Sequence, residues 1–448
     1  MSQPIADFAK SYAANKILKA HMPGHKGRGE DFYGLDITEI SGADSLYEAD
    51  GIIADSERQT AELFGAGKTF YSAGGSTLCI ETMLALMARV TGKKKVLAVR
   101  NCHRAFVNTC GLLGLDPVWI CPEYKNSLVT GNVTADTVAG ALRECRERVD
   151  MPGFVYVTSP DYMGKLAPLE DIARVCHDFG VLLAVDNAHG AYLRFTDGAD
   201  GKPLHPMFRG ADICCDSAHK TLPVLTGGAY LHIKDPALEP YEGCAKELMS
   251  LFGSSSPSYL ILESLDRCGE FLRREGRDCF GRQQQAAEAL HKRLSPFWQL
   301  YGDEWGKLTF FAPASGFTGT ELAEILRERG IECEYADDCF TVLMLTGFTP
   351  SEMERAGDII EKIPQPRIAV PVPDYSGFTL PERAMGIRDA MNAPSERIAA
   401  SEAAGRTAGL CPSHCPPGVA PIVSGEVFTD KIIRILESYG IFYVNVTV

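Results

Sequence analysis

Between about residue 60 and residue 235 the chain alternates short apolar runs with helix-like segments, and most of these runs stop at a small group of polar residues. Lys95 to Val99 ends at Arg100-Asn101, Phe154 to Thr158 at Ser159-Pro160, Val181 to Val185 at Asp186, and Ala211 to Cys215 at Asp216-Ser217. Gly228 to Ile233 is a further strand-like run. Helices are expected over Ser76 to Val90, opened by Gly74-Gly75-Ser76-Thr77, and over Leu166 to Phe179, closed by Gly180. Strands alternating with helices imply an α/β fold whose mostly parallel sheet is covered on both faces. Ligands of such sheets bind beyond the carboxyl ends of the strands. That rule singles out His103, Ser159, Asp186, His189, Ser217, His219 and Lys220 before any motif is considered.

After about residue 265 the pattern changes. Leu262 to Leu300 reads as a long charged helical region, and Lys307 to Phe311, Gly316 to Arg329 and Thr341 to Leu345 as a small α/β unit. Pro364 to Pro381 is a Pro-rich extended connection, and Leu380 to Arg406 reads as helix broken at Pro394. At 448 residues the chain is too long for one simple core. The expected division is an N-terminal segment 1–60, a large domain 61–265, a small α/β domain 266–365 and a C-terminal α+β domain 366–448.

Several function classes are disfavoured. A net charge of −14 argues against a nucleic-acid binder, which usually carries a basic face. No stretch of about 18 apolar residues suggests a membrane span, and the first ten residues lack a signal-peptide pattern. The fifteen cysteines are scattered, with Cys79, Cys214 and Cys215 inside apolar runs, which suits reduced core residues and a cytoplasmic location. Cys411-Pro412-Ser413-His414-Cys415 has no second ligand pair nearby, so no metal site is expected there.

Four segments carry chemistry. Ser72-Ala73-Gly74-Gly75-Ser76-Thr77 offers glycines that let an anion approach the backbone, a helix start and two hydroxyls. Taken alone it reads first as a capped helix after a turn, because short glycine motifs are weak signals. Asp186-Asn187-Ala188-His189 places a carboxylate at a strand end, where it suits a protonated ring nitrogen, a helix cap or a metal. Asp216-Ser217-Ala218-His219-Lys220 follows a very apolar strand and precedes Gly227-Gly228, so its lysine points more plausibly into a cleft than into bulk water. Lysine forms imines with aldehyde cofactors once burial or a neighbouring cation lowers its pKa. Arg100-Asn101-Cys102-His103 holds an imidazole that is a structural histidine or a group stacked on a planar cofactor.

The order of these four segments resembles the large domain of aspartate-aminotransferase-like, fold-type I enzymes that use pyridoxal phosphate (PLP). A narrower resemblance is to the Orn/Lys/Arg decarboxylases. His21-Met22-Pro23-Gly24-His25-Lys26-Gly27 resembles their N-terminal signature, and Asp36-Ile37-Thr38-Glu39, Asp44-Ser45-Leu46-Tyr47 and Ala61-Glu62-Leu63-Phe64-Gly65 continue it. Ser217 to Pro223 resembles the lysine motif, Ser254 to Leu260 with Ser264-Leu265-Asp266 the segment after it, and Cys415 to Pro421 with Gly425-Glu426 the C-terminal domain.

The resemblance implies roles. Lys220 would form the imine with PLP, Asp186 would pair with the pyridine nitrogen, and His103 would stack on the ring. Gly75, Ser76, Thr77, Ser217 and His219 would hold the phosphate, and His189 would lie beside ring and lysine. The implied reaction is decarboxylation of arginine, lysine or ornithine, in polyamine metabolism, by a homodimer or tetramer with its site at the subunit interface. The Ser254-Ser255 loop would reach the partner's phosphate. Glu426, Asp44 and Glu48 are candidates for meeting the substrate's distal cation. The chain starts close to the His21 signature, so no receiver-like N-terminal domain is expected. It departs from the pattern at Ala73-Gly74-Gly75-Ser76-Thr77, where Asn-Gly-Thr-Ser is typical, at Asn187, where Glu is common, and at Cys415, where Tyr is expected. The alternative is another fold-type I chemistry, aminotransfer or a lyase reaction, because fold does not fix reaction.

Overall fold

The computed structural model describes residues 3–15, 17–234, 238, 242–366, 368–413 and 416–448. His414 and Cys415, and with them the spacing considered for a metal, lie outside the described residues. The strands in chain order are β1 (Lys68–Ser72), β2 (Lys95–Val99), β3 (Asp116–Ile120), β4 (Phe154–Thr158), β5 (Leu182–Asp186), β6 (Ile213–Asp216), β7 (Ala229–Ile233), β8 (Leu300–Tyr301), β9 (Lys307–Phe311), β10 (Tyr335–Ala336), β11 (Phe340–Met344), β12 (Ser395–Ala399) and β13 (Tyr443–Thr447). The chain forms two compact units, one from Met1–Gly92 and Leu182–Gly281, the other from Lys93–Val181 and Arg282–Val448.

In the first unit the strand order is β1-β7-β6-β5. β5 and β6 are parallel, with Asp186 opposite Cys215, and β7 runs antiparallel to both β6 and β1. β1, β5 and β6 therefore point the same way and end at Ser72, Asp186 and Asp216 on one edge, where β7 begins at Ala229. The helix Gly75–Thr91 leaves that edge. It buries Leu78, Ile80, Met83, Leu84, Leu86 and Met87, each worth about 1.5–3 kcal/mol on removal from water. Gly92 stops it in the left-handed region at φ 64°.

The N-terminal helix Pro4–Ala14 is tied down from a distance. Its Ile5 and Ala6 N–H groups donate to Asp266 Oδ2 at 3.1 and 3.0 Å, and Ser56 Oγ donates to Asp266 Oδ1 at 2.5 Å. A carboxylate from helix Tyr259–Phe271 thus caps a helix more than 250 residues earlier.

In the second unit β4-β2-β3 is wholly parallel, with helices Arg104–Leu113, Ala135–Glu147 and Leu169–Asp178 between and after its strands. A four-stranded antiparallel sheet, β10-β11-β9-β8, joins helices Gly319–Glu328 and Pro350–Ile360, both opened by capping boxes. The last 50 or so residues pack Ile422, Phe428, Ile432, Leu436, Val444 and Val446 with Tyr124 and Leu128.

The strand runs read from sequence recur within two residues at each end, and β2, β4 and β9 recur with the same bounds. One segment is corrected. Leu380 to Arg406 is α-helical only over Ile387–Asn392, with a single 3-10 turn at Ala400–Glu402, and Pro394 is followed by β12, antiparallel to β13. Ser-Glu-Arg-Ile-Ala suits a helix locally, and a partner strand some 48 residues later overrides that preference. Cys79, Cys214 and Cys215 are buried free thiols. Among the described residues, no helix is long and apolar enough to cross a membrane.

Candidate active site

Three turns converge on the edge of the first unit where β1, β5 and β6 end. The first runs from Ser72 to Thr77. Gly75 has φ +70°, a conformation that disfavours any side chain, and its N–H donates to Gly227 O at 2.7 Å. A Cβ built on Gly75 would meet nothing within 4 Å, so open space lies above the helix start. Gly74 stands at the cap position and supplies no capping oxygen. With the Gly75 N–H taken by Gly227 O, the next first-turn N–H groups of this 17-residue helix and the Ser76 and Thr77 hydroxyls are the donors this turn offers to an anion.

The second turn follows β5. Asp186 is buried, and its Oδ1 accepts from Ala188 N at 3.1 Å and lies 3.7 Å from Cys215 Sγ. Asn187 N donates to Cys215 O at 2.9 Å, and Gly190 N closes the turn onto Asn187 O at 2.8 Å. The third turn is Ser217 and the short helix Ala218–Thr221. Its Lys220 Nζ lies 3.0 Å from His189 Nε2, joining the second and third turns. Ser217 Oγ donates to Ser76 Oγ at 2.7 Å, joining the third and first.

The structure thus brings together Gly75, Ser76, Thr77, Asp186, His189, Ser217, His219 and Lys220 along one strand-end edge. His219 needs a distinction. Its Nδ1 donates to Gly228 O at 3.0 Å, and burial pushes its pKa down, with the Gly228 hydrogen bond opposing and the Lys220 charge adding. The neutral ring therefore presents a lone pair at Nε2, and only the imidazolium would donate to a phosphate.

His103 and Ser159 belong to the second unit. His103 caps helix Arg104–Leu113, its Nδ1 accepting from Ala105 N at 3.2 Å, and a Cβ on Gly418 would collide with its ring. Ser159 Oγ accepts from Ala167 N at 3.0 Å. Two of the three candidates for the substrate's distal cation are already engaged. Asp44 accepts from Ser45 N at 2.8 Å, Gly51 N at 2.9 Å and Ile53 N at 2.9 Å. Burial raises its pKa, and these backbone donors outweigh burial and lower it. Glu426 is buried against Arg100, Oε2 to Nη2 2.7 Å, in the second unit. Glu48 is exposed.

Sequence reasoning assigned no role to Asp216, Asn187, His205 and His232, which meet behind the second and third turns. Asp216 Oδ1 accepts from Asn187 Nδ2 at 2.7 Å, and its Oδ2 lies 2.9 Å from His205 Nε2 and 3.3 Å from His232 Nε2. A carboxylate ending an apolar strand was the available signal.

The donor set suits a phosphorylated aldehyde with a ring nitrogen: an open helix start with hydroxyls, an amine and a buried carboxylate at successive strand ends. With the α/β fold, these turns define the class of fold-type I PLP enzymes. Solved structures agree on the fold. A Francisella novicida lysine decarboxylase matches all of this chain and 81% of its own, at 17% identity and TM-score 0.79. A serine palmitoyltransferase of Sphingomonas wittichii matches 81% of this chain and 83% of its own, at 14% identity and TM-score 0.57. The family model of the Orn/Lys/Arg decarboxylase major domain matches residues 4–302. The arginine decarboxylase of Bacillus subtilis (strain 168) is 30% identical over 96% of this chain and 92% of its own length. The chain belongs to the Orn/Lys/Arg decarboxylase family.

Proposed function

We propose that this enzyme decarboxylates arginine to agmatine with PLP held covalently by Lys220. Family membership makes decarboxylation of a basic amino acid the reaction class. Arginine is favoured within it because the relatives aligned over more than nine-tenths of both chains include four named arginine decarboxylase. The curated lysine decarboxylases of Pseudomonas aeruginosa and Escherichia coli align over 57% and 61% of this chain.

Lys220 would hold the cofactor's aldehyde, Asp186 its ring nitrogen, and Gly75, Ser76, Thr77 and Ser217 its phosphate, with His219 joining as the imidazolium. The family resemblance gives His103 the ring-stacking role. When bound, PLP supplies a conjugated cation that takes up the electron pair freed as CO2 leaves. The buried Asp186 carboxylate would hold the proton on the ring nitrogen. Lys220 Nζ and His189 Nε2, 3.0 Å apart, exchange a proton, and one of them delivers it to the substrate α-carbon in place of the carboxylate.

The same proposal covers the setting. Ile17, Leu18, Met22 and Phe32 are exposed on the N-terminal segment, which supports packing on a second subunit in a homodimer or tetramer. The Ser254-Ser255 loop, exposed next to Tyr47, would then reach the partner's site. Free thiols support a cytoplasmic enzyme of polyamine metabolism. The division at residues 60, 265 and 365 remains the proposed domain plan.

The observation that carries the function is the Lys220–His189 contact at the edge that also presents Asp186 and the open Gly75 turn. Incubating holoenzyme with arginine, lysine and ornithine separately, and assaying amine and CO2, tests it. Agmatine from arginine is expected. Turnover of lysine or ornithine alone overturns the substrate, and turnover of none overturns the decarboxylase reading.

A further inference from the structure

Asp216 is fully buried, as are His205 and His232. Phe64 seals the group, stacking on His232 at 4.7 Å between ring centroids and meeting His205 edge-on at 5.2 Å. Such an enclosed carboxylate is costly unless its lone pairs are filled. Here each oxygen has a donor: Asn187 Nδ2 serves one and His205 Nε2 the other, with His232 Nε2 a close polar neighbour at 3.3 Å.

The protons can be assigned. Met207 N donates to His205 Nδ1 at 3.3 Å, so the ring's Nε2 carries the proton that it donates to Asp216. A ring so committed has no Nε2 lone pair for a metal, and Asn187, Asp216 and His205 form a hydrogen-bonded group with His232 beside it. Thr69 Oγ1 fixes the far side of His232 at Nδ1, 2.8 Å away. Burial pushes the Asp216 pKa up, but pairing with His205 and then His232 more than offsets this and holds the carboxyl well below the usual range. Burial pushes His232 down and keeps it neutral.

The location gives this group a use. Asn187 follows Asp186 directly, and Asp216 precedes Ser217 and the Lys220 turn. We propose that Asp216 is a positioning residue: its buried carboxylate, held by His205 and packed beside His232, ties Asn187 to the end of β6 and so fixes the Asp186–His189 turn against the Ser217–Lys220 turn. This rests on the cofactor reading above and deepens it. Asn187 is held twice, by its backbone N–H to Cys215 O and by its side chain to Asp216. Two turns that must agree on one cofactor are thereby joined through a charge-assisted hydrogen bond in a dry interior, where such bonds are strongest.

The test compares wild type, Asp216→Asn and Asn187→Ala. Asp216→Asn puts an amide donor against Asn187 Nδ2 or His205 Nε2. Asn187→Ala removes the tie and leaves the histidine pairing, and so serves if the first variant does not fold. Each protein, freed of cofactor, is titrated with PLP while the visible band of the cofactor–lysine imine is recorded against pH, and kcat and KM are then measured. In Asp216→Asn the pH at which the band changes is expected to fall, because a buried negative charge near the cationic group is lost. In both variants kcat is expected to drop, up to about a hundredfold, with KM changed much less. A purely architectural role would lower the melting temperature and leave the band's pH profile and kcat unmoved, and that result overturns the inference alone. A wild type that develops no band overturns the cofactor reading and this inference with it.

Discussion

Lys220 Nζ and His189 Nε2 stand 3.0 Å apart, each on a turn that leaves a different parallel strand. An amine this close to an imidazole nitrogen has a proton acceptor ready whenever it must act as a nucleophile. His189→Gln keeps a polar contact but cannot shuttle a proton. We expect kcat to fall on the order of 10²–10⁴-fold while PLP still binds, measured by steady-state kinetics and by the cofactor's absorbance.

Asp186→Asn tests the ring-nitrogen role. The amide is nearly isosteric and can still accept from Ala188 N, 3.1 Å away in the wild type. The loss is electrostatic, and kcat should fall on the order of 10²–10³-fold, with little change in thermal stability.

Gly75→Ala tests the anion cup. The added methyl meets no atom within 4 Å, so any cost comes from φ +70°. Strain of about 1–2 kcal/mol should either lower the melting temperature or shift the backbone and weaken PLP binding, read by titration of the apoprotein. Unchanged stability together with unchanged affinity would contradict the account.

Glu426→Gln tests whether this carboxylate is structural. Arg100 and Glu426 side chains are 2% and 3% exposed, so the variant strands a buried guanidinium. Urea unfolding should show a loss of about 3–5 kcal/mol.

Asp337 gives a pH dependence. Burial raises its pKa to about 6, against hydrogen bonds from Phe340 N, Cys339 N and Tyr335 Oη that lower it. The folded state therefore holds this proton more tightly than the unfolded chain. Stability from this group is present below the unfolded value of 3.8 and is lost as pH rises to about 6. Asp337→Asn should remove that slope, on the order of 2–3 kcal/mol, in unfolding curves taken across the window.

Much of the site was legible because it lies where local pattern is strongest. Apolar runs such as Phe154–Thr158 are bounded by abrupt polar residues, and the chemistry follows those boundaries, so Asp186, His189 and Lys220 could be named from strand ends alone. Partnerships set by distant chain were not legible. β12 is a strand because Tyr443–Thr447 pairs with it, while its own residues favour a helix. Asp44 and Glu426 looked like free acids, yet the first caps backbone at residues 45–53 and the second meets Arg100 from 326 positions away. Asp216 was visible as a strand-end carboxylate, but its meaning came only from His205, on a turn before β6, and His232, on β7.

Reduction of the PLP-treated protein with borohydride, followed by proteolysis and mass spectrometry, fixes the position of any imine as a stable amine. The account predicts a phosphopyridoxyl group on the peptide containing Lys220 and on no other lysine. Label on a different lysine, or none at all after reduction, would contradict it.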